Sequence, residues 1–211
     1  MGAKLIDNSY RVSGKTYPRL SQVVEQVPNI ALREWKRRVG EEEAARISEE
    51  TSEWGTAVHA ITLYSDISDN AKLYQCLDGN RDLLIPLLSW DCWVIEFVNK
   101  WIAREKIVWS DRLRVAGTID GVGELKGDKC LSLCDIKTGP LYDEMGIRLY
   151  GYRLMWNERN PRKKVTRCLA VSLPRKNPGE IKVKEYIDNN KNRYEARFIE
   201  LCKDFHTLVG D

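Results

Sequence analysis

The sequence predicts an α/β protein in which a largely helical N-terminal part precedes a β-sheet. Two observations lead to this prediction. Helical patterns dominate up to about residue 103, and strand-like patterns then follow one another with short turns between them. The predicted strands cover residues 106–109, 115–122, 131–137, 165–173 and 181–186. Predicted helices at 143–158 and 189–208 alternate with the later strands, as in an α/β core.

The N-terminal part is expected to form a short hairpin and several helices. Residues 10–18 predict a hairpin that turns at Ser13-Gly14. Pro28 separates two short helices, and Asn29 is the expected N-cap of the second. The predicted helices cover residues 20–26, 29–38, 41–49, 52–64 and 82–103. No linker rich in Pro, Gly or Ser divides the chain. We therefore expect one domain over residues 1–211, with 1–50 forming the N-terminal hairpin and helices and 51–211 the core.

The composition excludes several classes of protein. Of the 211 residues, 43% are hydrophobic, which is enough for a substantial core. The 34 Lys and Arg against 31 Asp and Glu leave a net charge of +3, which excludes histone-like binding of nucleic acid but allows a local basic groove. No apolar segment is long enough to span a membrane, and no secretory signal begins the sequence. We expect a cytoplasmic protein with reduced cysteines; the mitochondrial matrix stays open if a transit peptide was removed.

The chemistry concentrates in the segment from Val115 to Pro140. Because side chains alternate along a strand, Asp135 and Lys137 project on one face. Antiparallel pairing of the two strands would bring Asp120 to the same end of the ribbon. Two carboxylates suit Mg²⁺ or a pair of such ions, and a nearby lysine can orient water beside a phosphodiester. The alternative is that Asp120 begins a turn and that Asp135 and Lys137 form a surface ion pair. Such a pair contributes at most about 1 kcal/mol to stability.

One of the two histidines stands out on the helix predicted for residues 52–64. Gly55 lies one turn before His59 and would let this helix approach its neighbours closely. A neutral imidazole can complete a carboxylate metal site and favours Mn²⁺ over Mg²⁺. The alternative is a buried histidine with a structural role, which is how we interpret His206 in the last helix.

These residues belong to a series of motifs that resembles a known family. In chain order the motifs read GTAVHA, EKIVW, VAGTIDGVGEL, LCDIKTGP and RLYGY. This order is similar to that of the PD-(D/E)XK nuclease superfamily, and more closely to its RecB-type exonuclease branch, which includes the mitochondrial genome maintenance exonuclease and phage-encoded relatives. The likeness extends from residue 10 to about residue 173. It implies a restriction-endonuclease-like core, in which helices flank a mixed central sheet.

The resemblance also implies roles for the matching positions. Four positions would bind metal: His59, Asp120, Asp135 and the backbone carbonyl of Ile136. Lys137 matches the catalytic lysine. Glu105 stands where the family often has an acidic residue, and we include it among the candidate catalytic residues. Tyr152 matches the tyrosine of a helical motif, whereas Arg148 replaces its usual glutamine. Mg²⁺ or Mn²⁺, in two copies, would be the cofactor. No iron–sulfur cluster is expected, because four convergent cysteines are lacking.

Nucleic acid is the expected partner. Cations would contact phosphates and aromatic rings would stack on bases. The candidate residues are Arg148, Tyr152, Arg37, Arg38 and Trp54. The sequence thus predicts a metal-dependent DNA exonuclease that acts on single strands or duplex ends in recombination, repair or replication. A phage source and a recombination or replication protein as partner fit this role. Two alternatives stay open: a structure-selective or site-specific endonuclease on the same fold, and a non-catalytic DNA-binding module.

Overall fold

A five-stranded mixed sheet lies at the centre of the protein. The computed structural model describes residues 4–6, 8–28, 30–177, 179–191 and 193–210. The sheet consists of β4 (Val98–Ser110), β5 (Val115–Leu125), β6 (Leu131–Lys137), β7 (Val165–Ser172) and β8 (Lys182–Glu185), in this order. All neighbours are antiparallel except β6 and β7, which run parallel and are connected by helix α6 (Met145–Arg159). A parallel pair needs such a crossover.

The other elements surround this sheet. A small antiparallel sheet of β1 (Lys4–Ile6), β2 (Ser9–Val12) and β3 (Lys15–Pro18) precedes the helices and joins the central sheet through a bridge between Arg19 and Ala116. The remaining helices are α1 (Leu20–Val24), α2 (Ile30–Val39), α3 (Glu41–Asp66), α4 (Asn70–Asp78), α5 (Leu84–Phe97) and α7 (Tyr194–Val209). Within the described residues, no helix combines the length and the apolar character needed to cross a membrane.

Each face of the central sheet has its own hydrophobic core. Alternation along β6 sends Leu133 into a core shared with α1, α6 and α7, whereas Cys134 and Ile136 enter a core shared with α3 and α5. Strand β7 alternates in the same way, since Ala170 and Val171 belong to different cores. The protein therefore has three layers, with helices on both faces of a mixed sheet. The predicted α/β fold class is confirmed.

Several predicted boundaries were wrong. The two helices expected at 41–49 and 52–64 are one helix, α3, in which Arg46 pairs with Glu50 in the expected break. The helix expected at 82–103 ends at Phe97, because the following residues pair with β5 from Val98 onward. Pairing with a neighbouring strand here overrides the local helical pattern. Helix α4 and strand β1 were not expected, and the predicted cap Asn29 lies outside the described residues.

Candidate metal centre

The site lies where strands β5 and β6 separate. Their ladder runs from Glu124 and Leu131 to Gly121 and Cys134. One step farther, the carboxylate of Asp120 accepts the backbone N–H of Ile136 at 2.6 Å. The side chain thus satisfies an amide that a continuing ladder would have bound. This exchange fixes one carboxylate oxygen, Oδ2, and leaves Oδ1 directed away from β6.

Strand β4 brings a second carboxylate to the same place. Arg104 pairs with Gly121 and Lys106 with Ile119, so Glu105 lies across from Asp120. Glu105 has a φ of +42°, in the left-handed region that non-glycine residues rarely adopt. Such backbone strain persists only where the surrounding structure enforces it, and it is common at functional sites. The sequence had placed Glu105 just before the strand, whereas it lies within β4.

Helix α3 completes the cluster with His59. Its Nδ1 lies 3.4 Å from Glu105 Oε1 and 3.6 Å from Asp120 Oδ1. The three potential ligand atoms all lie within 4.8 Å of one another, so these residues could hold a metal ion. Two carboxylate oxygens and one imidazole nitrogen form a donor set for a divalent cation with a preference for oxygen ligands. Three different elements, α3, β4 and β5, therefore contribute to one point.

The electrostatics of the cluster indicate an excess of negative charge. The pKa of Asp120 is raised to about 6, first by burial and then by the nearby charges of Asp135 and Glu105, against the opposing effects of His59 and Lys137. Burial lowers the pKa of His59, but Asp120 and Glu105 outweigh this effect and raise it above its usual value. Both shifts show that the cluster favours additional positive charge. A divalent cation would supply it, which is why the donor set fits such an ion.

On β6, Asp135 and Lys137 form an ion pair with each other. Lys137 Nζ also donates to the carbonyl of Ile136 at 3.1 Å. Among the described residues, Asp135 is not part of the three-donor cluster. The sequence thus predicted six residues that lie together here, namely His59, Glu105, Asp120, Asp135, Ile136 and Lys137, but the structure groups the carboxylates differently. Glu105 joins His59 and Asp120, while Asp135 is neutralised by the lysine two residues later.

Helix α6 supplies two further residues near the carboxylates. The ring of Tyr152 packs over Gly117, where an added Cβ would lie 2.6 Å from its Cε1 atom. Burial raises the pKa of the Tyr152 hydroxyl, opposed by Arg148 and supported by Asp135 and Asp120, so the hydroxyl stays protonated. Arg148 lies one turn earlier and is half-buried. It makes no hydrogen bond or ion pair within the part of the chain that the structure describes.

The other predicted nucleic-acid contacts lie in different surroundings. Arg37 and Arg38 are exposed on α2, and neither has an ion-pair partner among the described residues. Trp54 is only 8% exposed and belongs to the core between α3 and the sheet. The guanidinium of Arg175 lies 4.6 Å from the centre of its ring. Stacking of a base on Trp54 stays a prediction, and it would require Arg175 to move.

Sequence reasoning missed the residues behind the cluster. Arg104 on β4 is buried and binds Asp66 and Thr62 of α3. A signal was present, because His59, Thr62 and Asp66 have the i, i+3, i+7 spacing of one helix face. Because the helix was predicted to end at residue 64, Asp66 was not assigned to that face.

Comparisons with known proteins give a likeness in structure alone. No family model and no curated protein matches this chain. A solved structure from Eubacterium rectale, of a protein provisionally named an exonuclease, is 10% identical with a TM-score of 0.45, and covers 72% of this chain and 66% of its own. A second, of the protein SSO0001, is 12% identical with a TM-score of 0.38, and covers 90% of this chain and 84% of its own.

Proposed function

We propose that this protein is a metal-dependent deoxyribonuclease that hydrolyses phosphodiester bonds at the site formed by α3, β4, β5 and β6. The observation that carries the proposal is the cluster of His59, Glu105 and Asp120, with an ion-paired lysine on the adjacent strand. A structural ion pair needs no excess of carboxylates, whereas phosphodiester hydrolysis needs both bound cations and a group that positions water. The resemblance of the motif order in this chain to that of the PD-(D/E)XK nucleases also supports a nuclease.

Each side chain has a task in this proposal. His59, Glu105 and Asp120 would hold Mg²⁺ or Mn²⁺, which when bound polarises a phosphate oxygen. The Lys137 ammonium has three N–H groups, and Asp135 and the Ile136 carbonyl account for two of them. The third is left for the attacking water or a phosphate oxygen. Water then adds to phosphorus, and the leaving oxygen departs with the electron pair of the broken P–O bond and takes up a proton.

A second ion would use Asp135. Its carboxylate lies next to the cluster in the fold, as its effect on the pKa of Asp120 indicates. A cation bound there would share the Asp135 carboxylate with Lys137. We therefore propose that the three-donor cluster is the tighter site and that Asp135 contributes to a second, weaker one.

DNA is the proposed substrate because cations lie beside the acidic centre as well as on α2. Arg148 is half-buried near Tyr152 without a protein partner among the described residues, which suits contact with a phosphate. Arg37 and Arg38 offer further phosphate contacts on the exposed face of α2. Exonuclease action on single strands or duplex ends is supported by the motif resemblance, and a role in recombination, repair or replication follows from that activity.

A cleavage assay tests the proposal. End-labelled linear single-stranded DNA, linear duplex and covalently closed circular DNA are incubated with Mg²⁺, Mn²⁺ or EDTA. We expect nucleotides to be released from linear DNA with either metal, closed circles to survive, and EDTA to stop the reaction. Nicking or cutting of circles would favour an endonuclease on the same site. Binding of DNA without any cleavage would overturn the enzyme and favour a non-catalytic module.

Two lysine variants connect the activity to the site. Lys137→Ala should lower the cleavage rate roughly 10²–10⁴-fold, the usual contribution of a positioned proton-transfer or water-orienting group, while leaving the circular-dichroism spectrum unchanged. Lys129→Ala, exposed in the turn at the opposite end of β5 and β6, is the matched control and should cleave like the wild type. Full activity in the Lys137 variant would contradict the proposed mechanism, because the reaction would then come from another site or a contaminant.

A further inference from the structure

Behind the metal cluster lies a buried arginine that the proposed chemistry does not use. The side chains of Arg104 and Asp66 are 5% and 4% exposed, and Arg104 Nε donates to Asp66 Oδ2 at 2.6 Å. The guanidinium carbon also lies 5.2 Å from the ring centre of Trp90 and 5.0 Å from that of Trp101. Asp66 in turn accepts the Trp90 indole N–H at 3.2 Å. A fully desolvated cation is thus held by one carboxylate and two rings.

The three nitrogens of the guanidinium bind three different acceptors. Besides the Nε contact to Asp66, Nη1 donates to the backbone carbonyl of Asp120. Nη2 donates to Thr62 Oγ1 at 3.4 Å, and the Thr62 hydroxyl itself donates to the carbonyl of His59 at 3.0 Å. One planar group therefore touches the residue that carries the central carboxylate and, through one hydroxyl, the helical turn that carries the histidine.

The third potential ligand is attached to Arg104 by a peptide bond. Glu105 follows it directly and has the left-handed φ of +42°. Because Arg104 is bound to Asp66 of α3 and to the backbone of Asp120 on β5, Glu105 is held in the conformation that directs its side chain toward His59. Gly121 permits this close packing, because an added Cβ would lie 3.2 Å from Arg104 Nη1 and 2.9 Å from Trp101 Cζ3. The arginine thus connects all three ligand-bearing elements.

Stability alone does not explain such an arrangement. Burying an ion pair costs desolvation that its mutual attraction only partly offsets, and apolar residues of similar volume often serve a core equally well. An arginine, unlike a lysine, presents a rigid planar fork that fixes the positions of several acceptors at once. Groups that orient metal ligands from behind are a general feature of metal sites, and their loss weakens metal binding roughly 10–100-fold.

We propose that Arg104 is a positioning residue of the metal centre: it fixes His59, Glu105 and Asp120 in the arrangement that binds a divalent cation. This inference rests on the metal site of the proposed function. Asp66 and Thr62 act with Arg104, since Asp66 compensates its charge and Thr62 extends its reach to the His59 turn. The group itself touches neither metal nor substrate.

The test measures Mn²⁺ binding to the full chain by calorimetry, without DNA or turnover. Arg104→Lys keeps the charge but replaces the planar fork with a single ammonium group, so we expect Mn²⁺ affinity to fall roughly 10–100-fold. Thr62→Val keeps the shape of the side chain but removes the hydroxyl that connects Arg104 to the His59 turn, so Mn²⁺ affinity should fall by a smaller factor. Arg167→Gln is the matched control, because Arg167 pairs with Glu185 and Asp128 far along the sheet from the cluster.

Thermal unfolding of the metal-free proteins separates positioning from support of the fold. Arg167→Gln should lower the unfolding temperature yet bind Mn²⁺ like the wild type. If Arg104→Lys does not fold, Thr62→Val decides the matter through its Mn²⁺ affinity. Wild-type affinity in a folded Arg104→Lys protein, or in Thr62→Val when the lysine variant is unfolded, overturns this inference and leaves the proposed function intact. A wild-type protein that binds no Mn²⁺ overturns the metal site, and the inference with it.

Discussion

Asp120 on β5 and Asp135 on β6 are aspartates at the open end of the same strand pair, but their surroundings differ. Asp120 faces another carboxylate and a histidine, and burial raises its pKa to about 6. Asp135 is also buried, but Lys137 lies against it and neutralises its charge. The region around Asp120 therefore has unsatisfied negative charge, whereas the region around Asp135 is an almost self-contained ion pair.

The difference shows how one residue type serves two purposes. A carboxylate without a cationic partner in a buried site attracts a metal ion, because the ion relieves both the desolvation and the repulsion. A carboxylate that already binds a lysine instead holds that lysine in place. The first arrangement is suited to binding a cation and the second to orienting a catalytic ammonium. Substitutions at the two aspartates should therefore have different effects on metal binding and on cleavage.

The largest effect is expected from exchanging the two aspartates for asparagine. Asp120→Asn removes the central charge and should weaken Mn²⁺ binding roughly 100-fold or more. Asp135→Asn should retain the tighter of the two Mn²⁺ sites and lose cleavage, because it mainly releases Lys137. Calorimetric titration of both variants, with cleavage measured in parallel, provides the comparison. Weaker Mn²⁺ binding in the Asp135 variant than in the Asp120 variant would reverse the roles assigned here.

The second prediction concerns stability and pH in the metal-free protein. Asp120 has a pKa of about 6 when folded against a usual 3.8, so the folded state retains its proton more strongly than the unfolded state. Stability should therefore fall as the pH rises from about 4 to 6, by roughly 2 kcal/mol. The raised pKa of His59 acts in the same direction at higher pH, since its contribution disappears as it deprotonates.

Urea unfolding in EDTA across this pH range measures the effect. The difference between wild type and Asp120→Asn isolates the contribution of this carboxylate from that of other groups. Adding Mn²⁺ at pH 7.5 should restore stability in the wild type, because a ligand that binds only the folded state stabilises it. An identical pH dependence in the two proteins would show that Asp120 carries no excess charge.

A third prediction addresses Glu105. Glu105→Gln preserves the shape of the side chain but removes one negative charge from the cluster, so Mn²⁺ affinity should fall roughly tenfold, or about 1.4 kcal/mol. Glu124→Gln, half-buried toward the other end of β5, is the matched control and should bind Mn²⁺ normally. An unchanged Mn²⁺ affinity in the Glu105 variant would show that Glu105 is not a metal ligand.

The smallest effect is expected at Arg148, which lies outside both carboxylate regions. Arg148→Ala should weaken binding of single-stranded DNA in Ca²⁺ or EDTA and reduce the slope of log affinity against log salt by about 1, as expected for the loss of one phosphate contact. Fluorescence anisotropy at several salt concentrations measures the slope. The control is Arg197→Ala on α7, where the arginine pairs with Glu200. An unchanged slope would remove Arg148 from the DNA-binding surface.

Local patterns were sufficient for much of the fold. Strand β6 begins and ends at the predicted residues, and α6 and β7 differ by one or two positions. The alternation of apolar and polar residues carries this information, because it requires only neighbours along the chain. Residues 98–103 were assigned to the end of a helix because their local pattern is ambiguous, and only pairing with β5 shows that they form a strand.

The candidate site was predictable in its membership more than in its arrangement. His59, Asp120, Asp135 and Lys137 could be selected from motif spacing alone, since the chemistry of each residue type is local. Glu105 was chosen for its character but placed before the strand. Its association with His59 depends on a left-handed residue inside β4, which no sequence pattern in this chain signals.

Local patterns and motif order were enough to predict the α/β class, the acidic and basic residues of the candidate centre and the shared face of Asp135 and Lys137. The grouping of the carboxylates and the buried arginine behind them became visible only in the folded protein. Side chains alternate along a strand between immediate neighbours, whereas the cluster depends on where β5 and β6 separate and on how Arg104 connects α3, β4 and β5. These contacts join residues that are far apart in the sequence, so they depend on how the elements pack.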